Sequence, residues 1–564
     1  LRISKFGDIF CNLFILEGDV KLVSVAEMKA VEREADANGL TYDMMMENAG
    51  DGLAKVVESE FKDFKDGGIL GLVGSGNNGG DTLVALAKLA DSGWPATAYI
   101  VRKRPKGDPL IEGLISSNGK VIKITDDDDF NNLKSAINTH SILMDGILGT
   151  GIKLPVRGRV ADVLALAKKI LTQLGDKPKV VAVDCPSGVD CDSGEASPEC
   201  LEADLTVTMA AVKRGLLKFP ANNLIGRLML VGIGLEYEDK RSKSWQAIIR
   251  TVVTPEWVQA IMPPRSRDAH KGTFGTAMIV AGSVNYSGAV LLAGKAAYRA
   301  GAGLVTLAVP APLHSALAGH IPEGTWLLLP DEMGVIADNA AEVVLENLDR
   351  VTAMLLGPGF GLESETENFL VNLFSSPPRN RRTEIGFVQA ANQGETTGKR
   401  ELPPLVIDAD GLKLLARIPD WQSKLIKPSV LTPHPGEMAV LTGLEISEIQ
   451  SQRVETAERY AREWGHVVVL KGANTVIAEP GGRTAIIPVA SSSLARAGTG
   501  DVLAGIITGM RAQGVEAFEA AASGCWIHAH SGLKAAESLG TNTSVLAGDL
   551  LRSMVDVIHD LENL

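Results

Sequence analysis

Short apolar runs alternate with longer stretches of helical periodicity along most of the chain. Ile69-Leu70-Gly71-Leu72-Val73 reads as a buried strand, and Thr82 to Ser92 as the apolar helix that follows a glycine loop. The alternation continues with strand Thr97 to Val101, helix 109–117, strand 121–124, helix 130–138, strand Ser141 to Met144, helix 161–174 and strand Val180 to Val183. Ahead of it, Val25 to Glu60 is helical in pattern and rich in Met, Ala and Glu. A second series opens with strand Ala277 to Val280, helix Ala289 to Ala300 and strand Leu304 to Val309. Strands follow at Ala353 to Leu356, Leu405 to Ile407, Ser429 to Leu431 and Val467 to Leu470, then a helix after Asp501 and another near 516–530. Strands alternating with helices predict parallel sheets covered on both faces, with ligands at the carboxyl ends of the strands.

The charged run Tyr237 to Ser244 reads as a linker between the two series. The expected layout is therefore α/β with two domains, 22–240 and 250–564, behind an extension of residues 1–21. The apolar stretch Ile9 to Leu16 is short and broken by Asn12, which favours an attached leader over a signal peptide. Residues 376–404, rich in Pro, Arg, Gln, Asn, Thr and Gly, read as a surface insertion.

Composition narrows the function classes. The 564 residues carry 68 acidic against 55 basic side chains, a net charge of −13 that disfavours nucleic acid and membrane surfaces as partners. No apolar run approaches the roughly 20 residues of a membrane helix. Five cysteines (11, 185, 191, 200 and 525) form no Cys-x-x-Cys pair, so no disulfide framework or zinc site is expected and a reducing cytoplasm fits. Cys185 reads as a packed small residue. Assembly as a homo-oligomer is expected.

Two glycine loops carry the candidate chemistry. The first, Gly74-Ser-Gly-Asn-Asn-Gly-Gly-Asp81, follows a strand and opens a helix, where backbone N–H groups and the helix dipole favour anions. It is not the dinucleotide fingerprint G-x-G-x-x-G. Asn77 and Asn78 can ligate a cation or an amide, while Gly79 and Gly80 let backbone approach phosphate. Asp145, opening Asp-Gly-Ile-Leu-Gly-Thr-Gly, and Asp184, opening Asp-Cys-Pro-Ser-Gly-Val-Asp, both stand at strand ends. With the Ser187 region they suit a monovalent cation and an acid–base residue, although either aspartate could instead cap a helix. The basic cluster Arg102-Lys-Arg-Pro-Lys106 reads as a solvated turn, with contact to a 2′-phosphate as the alternative. Asp126 to Asp129 reads as an exposed acidic turn.

The second loop, Gly498-Thr-Gly-Asp501, precedes an apolar helix whose N–H groups can hold a phosphoryl group while Asp501 takes a hydroxyl proton. Around it stand Lys471-Gly-Ala-Asn-Thr475 at a strand end, His434 between two prolines, the pair Asp408 and Asp410, and the turn Gly357-Pro-Gly-Phe-Gly361. The chain has no P-loop lysine motif.

GSGNNGGD, DGILGTG and VDCPSGVD together resemble the N-terminal epimerase domain of the NAD(P)H-hydrate repair enzymes, the YjeF N-terminal family, over roughly residues 22–236. HKGTFG, LGPGFG, IDADGL, LTPHPGE, VVLKGANTVI and AGTGDVLAGI look like the dehydratase domain of the same enzymes, over about 263–557. The resemblance implies a Rossmann-like doubly wound sheet followed by a ribokinase-like domain. In the first, it implies hydrate contacts from Asn77, Asn78, Gly79, Gly80 and Asp81, and phosphates wrapped by Gly149, Thr150, Gly151, Ile152, Lys153, Leu154 and Pro155. Asp184 would be the acid–base residue, and K+ would lie near Asn78, Asp145 and Ser187. In the second, it implies ADP with Mg2+, held by Lys471, Gly472, Ala473, Asn474 and Thr475, by Ser491, Ser492 and Ser493, and by Gly498, Thr499 and Gly500. Hydrate contacts would come from Gly303, Gly359, His434 and Asp501. The family usually shows an Asn-Pro-Gly-like segment before G-x-G-D; here Ala490-Ser-Ser-Ser493 stands there, and serines can still donate to phosphate.

The expected substrates are thus the hydrates NADHX and NADPHX, their R and S forms interconverted by the first domain and the S form dehydrated by the second. A ribokinase-like small-molecule kinase with an accessory α/β domain shares G-x-G-D, and a nucleotide-sensing scaffold without turnover is the non-enzymatic alternative.

Overall fold

A computed structural model describes residues 20–235, 242–375 and 402–564. The expected leader lies almost wholly outside these residues, as do most of the expected linker and insertion. Of the linker, Ser242 is described as the N-cap of a short helix, Lys243–Gln246. The described residues fall into two compact units that divide between Val252 and Val253.

The first unit contains β1 (Val20–Val23), β2 (Ile69–Val73), β3 (Ala96–Ile100), β4 (Lys120–Lys123), β5 (Ile142–Gly146), β6 (Lys179–Val183), β7 (Leu205–Met209), β8 (Val212–Lys213), β9 (Arg227–Val231) and β10 (Arg250–Val252). Its main sheet runs β4-β3-β2-β5-β6-β7-β9, every neighbouring pair parallel. Separately, β1 pairs parallel with β8 and antiparallel with β10. Strand order reverses between β2 and β5, so the loops leaving these two strands diverge and open a crevice at their carboxyl ends. Alternation within β2 sends Ile69 and Val73 into one buried cluster and Leu70 and Leu72 into the other, which is why the strand reads as an unbroken apolar run. The helical stretch before it is two helices. Val25–Ala37 is headed by a Ser24–Glu27 capping box and Tyr42–Glu60 is capped by Thr41, with a break at Gly39, whose φ is +93°.

The second unit holds β11 (Thr276–Val280), β12 (Leu304–Pro310), β13 (Thr325–Leu329), a hairpin of β14 (Asp331–Glu332) and β15 (Val335–Ile336), then β16 (Ala353–Leu356), β17 (Leu405–Ile407), β18 (Val430–Leu431), β19 (Val467–Leu470), β20 (Val476–Ala478) and β21 (Thr484–Ile486). From β13 the order is β12-β11-β16-β17-β18-β19-β20-β21. The strands are parallel as far as β19, while β20 and β21 join antiparallel. That corrects the expectation of a purely parallel sheet: the short strand β20 returns directly after the Lys471–Thr475 loop, leaving no room for a crossover helix. Consecutive neighbours β17, β18 and β19 deliver Asp408, Thr432 and Lys471 from the same end of the sheet.

Candidate active sites

The helix after β2 is Asn77–Asp91, with Gly76 as its cap, so it begins five residues before the expected Thr82. Asn77 and Asn78 are therefore first-turn residues of the helix, and Asn77 is exposed. The early start is permitted because a Cβ at Gly79 would overlap the carbonyl of Gly74; only glycine lets the first turn fold back onto the loop. Arg104 braces the same loop, donating to Gly74 O at 2.9 Å and pairing with Asp108 at 2.6 Å. The basic run is accordingly not one solvated turn, since Arg104 is turned inward and Arg102 is exposed. Asp127 likewise departs from the exposed acidic turn expected there. It is buried, accepts from the N–H groups of Asn132 and Leu133 at the start of a helix, and takes the Tyr99 hydroxyl at 3.1 Å.

Asn78, Asp145, Ser187 and Asp184 converge. The Asn78 amide donates to Val183 O at 2.6 Å and to Leu148 O at 3.1 Å, tying β6 to the loop after β5. Ser187 N donates to Asp145 Oδ2 at 2.8 Å, and Leu148 N donates to Ser187 Oγ at 2.9 Å. The second Asp145 oxygen is buried with no hydrogen-bond partner among the described residues, and burial raises this carboxyl above its ordinary range. Asp184 occupies left-handed backbone (φ 63°), and its Oδ1 accepts from Thr208 Oγ1 and Met209 N, each at 3.1 Å, and from Lys213 Nζ. Burial, then the nearby Asp184 charge, push Asp81 well above the usual carboxylate range, with Lys213 opposing. Glu32 is raised by burial and by Asp184, again against Lys213. Gly151 to Pro155 line a cavity together with Leu148. Cys185 is buried, and a hydrogen bond with Cys191 plus burial push its thiol far up, in keeping with a packing role.

The sequence reading missed Lys213. It lies in the apolar run Met209 to Leu217, where a buried cation demands a buried partner; that is the signal it offered. Glu32 and Arg104 carried no comparable mark.

In the second unit the helix Thr499–Ala512 starts at Gly498, which is left-handed (φ +86°). The Thr499 hydroxyl donates to Leu494 O at 2.9 Å and Arg496 O at 2.8 Å, so this side chain braces the turn. Among the described residues, the N–H groups of Gly500 and Asp501, in the first turn, bond no carbonyl. A Cβ at Gly500 would lie 3.7 Å from both Asp408 Oδ2 and Lys471 Nζ, which brings the turn against the ends of β17 and β19. Lys471 is tied to Asp408 Oδ1 at 2.6 Å and stands 3.6 Å from Glu437. Burial works against its charge, but Asp408 and Glu437 outweigh it and raise the ammonium above its ordinary value. Burial, with help from Asp408, lifts Asp501 to about 7, Lys471 opposing.

His434 is the cap of the helix Pro435–Thr442: its Nδ1 accepts from Gly436 N at 3.0 Å, and its Nε2 lies 3.3 Å from Glu437. Burial lowers its pKa against the pull of Glu437, in keeping with a ring that accepts at Nδ1. Asn474 is buried with its N–H on Val489 O at 2.9 Å, between exposed Ala473 and half-buried Thr475. Ser491 and Ser493 share a 2.8 Å hydroxyl contact at the start of the 3-10 turn Ser492–Leu494. Gly303 packs against the Lys271 backbone and Gly359 against Tyr286; among the described residues neither joins the hydrogen-bonded network around Lys471. No helix among the described residues is long and apolar enough to cross a membrane. Nor do they hold a His, Cys, Asp and Glu cluster arranged for a metal ion.

Residues 42–215 match the family model of the YjeF-related protein N-terminus, and residues 277–555 that of the NAD(P)H-hydrate dehydratase. The chain is 35% identical over 548 residues to the bifunctional NAD(P)H-hydrate repair enzyme Nnr of Moorella thermoacetica, covering 96% of this chain and 97% of that protein. With the Escherichia coli protein of the same name it shares 30% identity over 537 residues, 94% of this chain and 93% of that one. The solved ADP/ATP-dependent NAD(P)H-hydrate dehydratase of Bacillus subtilis, co-crystallised with ATP/Mg2+, is 28% identical, with a TM-score of 0.44 over 55% of this chain and 98% of that one. Two α/β units, one with buried Asp81 and the other with half-buried Asp501 in the first turn of a helix, and matches to an epimerase-type and a dehydratase model make this a two-domain enzyme. The chain belongs to the bifunctional NAD(P)H-hydrate repair enzymes.

Proposed function

We propose that the unit before Val253 interconverts the R and S hydrates of NADH and NADPH, and that the unit after it dehydrates the S hydrate with ADP as phosphoryl donor. The observation that carries this reading is Asp501, lifted to about 7 beside two unpartnered N–H groups and Lys471. A base of that strength both accepts a hydroxyl proton and is regenerated at neutral pH. Hydroxide is a poor leaving group. Transfer of the terminal phosphoryl to the hydroxyl oxygen, with its proton going to Asp501, makes the leaving group phosphate. Breaking of the C–O bond with loss of a ring proton then restores the double bond. The N–H groups of Gly500 and Asp501 fit the charge that gathers on the phosphoryl oxygens. Lys471, neutralised in part by Asp408, holds the same end of the sheet together and adds positive potential. Mg2+ accompanies the nucleotide in this reading.

In the first unit Asp184, with Lys213 as counter-ion, takes and returns protons around the hydroxyl-bearing carbon, and the Asp81 carboxyl, raised by burial and by the Asp184 charge, stands nearby. The unpartnered Asp145 oxygen, with Asn78 and Ser187, fits a monovalent cation such as K+, whose charge would offset the buried carboxylate. Four buried, unpaired cysteines among the described residues support a reducing compartment such as the cytoplasm.

The test is incubation with mixed NADPH hydrates and ADP, following recovered NADPH absorbance. Asp501→Asn should recover none, and Asp184→Asn only the S fraction. Equal consumption of both epimers by Asp184→Asn would refute the division of labour.

A further inference from the structure

The basic residues after β3 and in the loop after β5 are not spent on the fold. Arg102, Lys153 and Arg157, all exposed, line one open cavity of about 490 Å³ together with Leu148 and the rest of the stretch 151–157. No lining residue is acidic, and the three side chains make no hydrogen bond or ion pair among the described residues. Their neighbours differ: Arg104 is committed to Asp108 and the glycine loop, and Arg159 to Asp128 and the Phe130 ring. A hydrogen-bonded link joins the cavity's lining to the strand that ends at Asp184. One amide, that of Asn78, donates both to Leu148, which lines the cavity, and to Val183, which directly precedes Asp184.

A volume of this size suits part of a dinucleotide. The pyrophosphate of a nicotinamide dinucleotide carries about two negative charges, which the loop and one cation can balance. Three unpaired cations exceed that need, and a ribose 2′-phosphate adds close to two further charges. Guanidinium forks favour such a phosphate bidentately. Resting on the epimerase reading above, we propose that Arg102 and Arg157 bind the 2′-phosphate of the substrate, so that this unit prefers the hydrate of NADPH to that of NADH.

The experiment compares epimerisation of the two R hydrates by the wild-type full chain, Arg102→Ala, Arg157→Ala and the double variant, with excess wild-type dehydratase activity to report the S product. The wild type should favour the NADPH hydrate by about tenfold or more in kcat/KM, chiefly through KM. The double variant should lose that preference while its use of the NADH hydrate changes less than about twofold. The preference should also shrink as salt is raised from about 0.05 to 0.5 M, since exposed charges are screened. Equal loss with both hydrates would assign the arginines to the pyrophosphate and overturn the proposal, as would a wild type without preference. A separate titration with adenosine 2′,5′-bisphosphate against AMP reads binding without turnover. A bisphosphate preference that disappears in the double variant supports the inference even if epimerisation itself fails, and its persistence overturns it.

Discussion

Asp184 and Lys213 show how a single buried pair ties stability to chemistry. Both are nearly inaccessible, and the ammonium bonds Asp184, Thr208 Oγ1 at 3.1 Å and Met209 O at 2.8 Å. Lys213→Met leaves the carboxylate buried without its counter-charge, which costs about 3–5 kcal/mol. Urea denaturation followed in the first unit should show that loss, with epimerisation down by about 100-fold or more. Adding Asp184→Asn to Lys213→Met should recover part of the stability and none of the activity, because the amide tolerates burial better than an unpaired charge. At the second site the same logic governs pH. A carboxylate in the proposed role of Asp501 is a base only when ionised, and burial lifts this one to about 7, so kcat/KM for the S hydrate should climb with pH and level off above that value. A profile already flat from pH 5 would contradict the assignment.

Two helices carry the candidate groups on first turns that close backbone contacts at glycine hold in place. Thr499–Ala512, buried along nearly its whole length, lies so close to Gly288–Arg299 that a Cβ at Gly505 would overlap the Ala293 carbonyl. Gly505→Ala should therefore push the helix outward, costing about 1–3 kcal/mol. Asp501 and the two free N–H groups ride on its first turn, and a displacement of about 1 Å at a reacting group can cost a hundredfold. Dehydration should fall steeply in this variant while epimerisation of the R hydrate, read by chromatography of the two epimers, stays at its wild-type rate. In the first unit the glycines of Asn77–Asp91 divide similarly. Gly79 is fixed by the Gly74 backbone, whereas Gly80 faces the flexible end of Met46, which can move aside.

At the scale of the whole molecule, two reactions follow each other on one chain, and each unit holds its own carboxylate. Nothing in the chemistry requires the epimer to stay bound between the steps. A mixture of Asp184→Asn and Asp501→Asn should accordingly regain the full conversion of the R hydrate that each variant lacks. Failure of the mixture, with both variants folded by circular dichroism, would mean that substrate passes only within one chain.

The repeating strand–helix order, the two glycine loops and the aspartates at strand ends were legible in the chain, because buried parallel strands must be apolar and their exits must bend. The family followed from those loops read together. Helix boundaries were less legible: Asn77 and Asn78 look like loop residues until Gly79 is seen to admit the fold-back against Gly74. Lys213, Asp127 and Arg104 gave up their roles only in three dimensions, since each is a charge whose position is set by a partner on another element. Residue order determined which strands form and which loops leave them. Tertiary structure alone decided which charges meet, how deeply they are buried and therefore which protons they hold, because burial and Coulomb interaction depend on distance through space and not on separation along the chain.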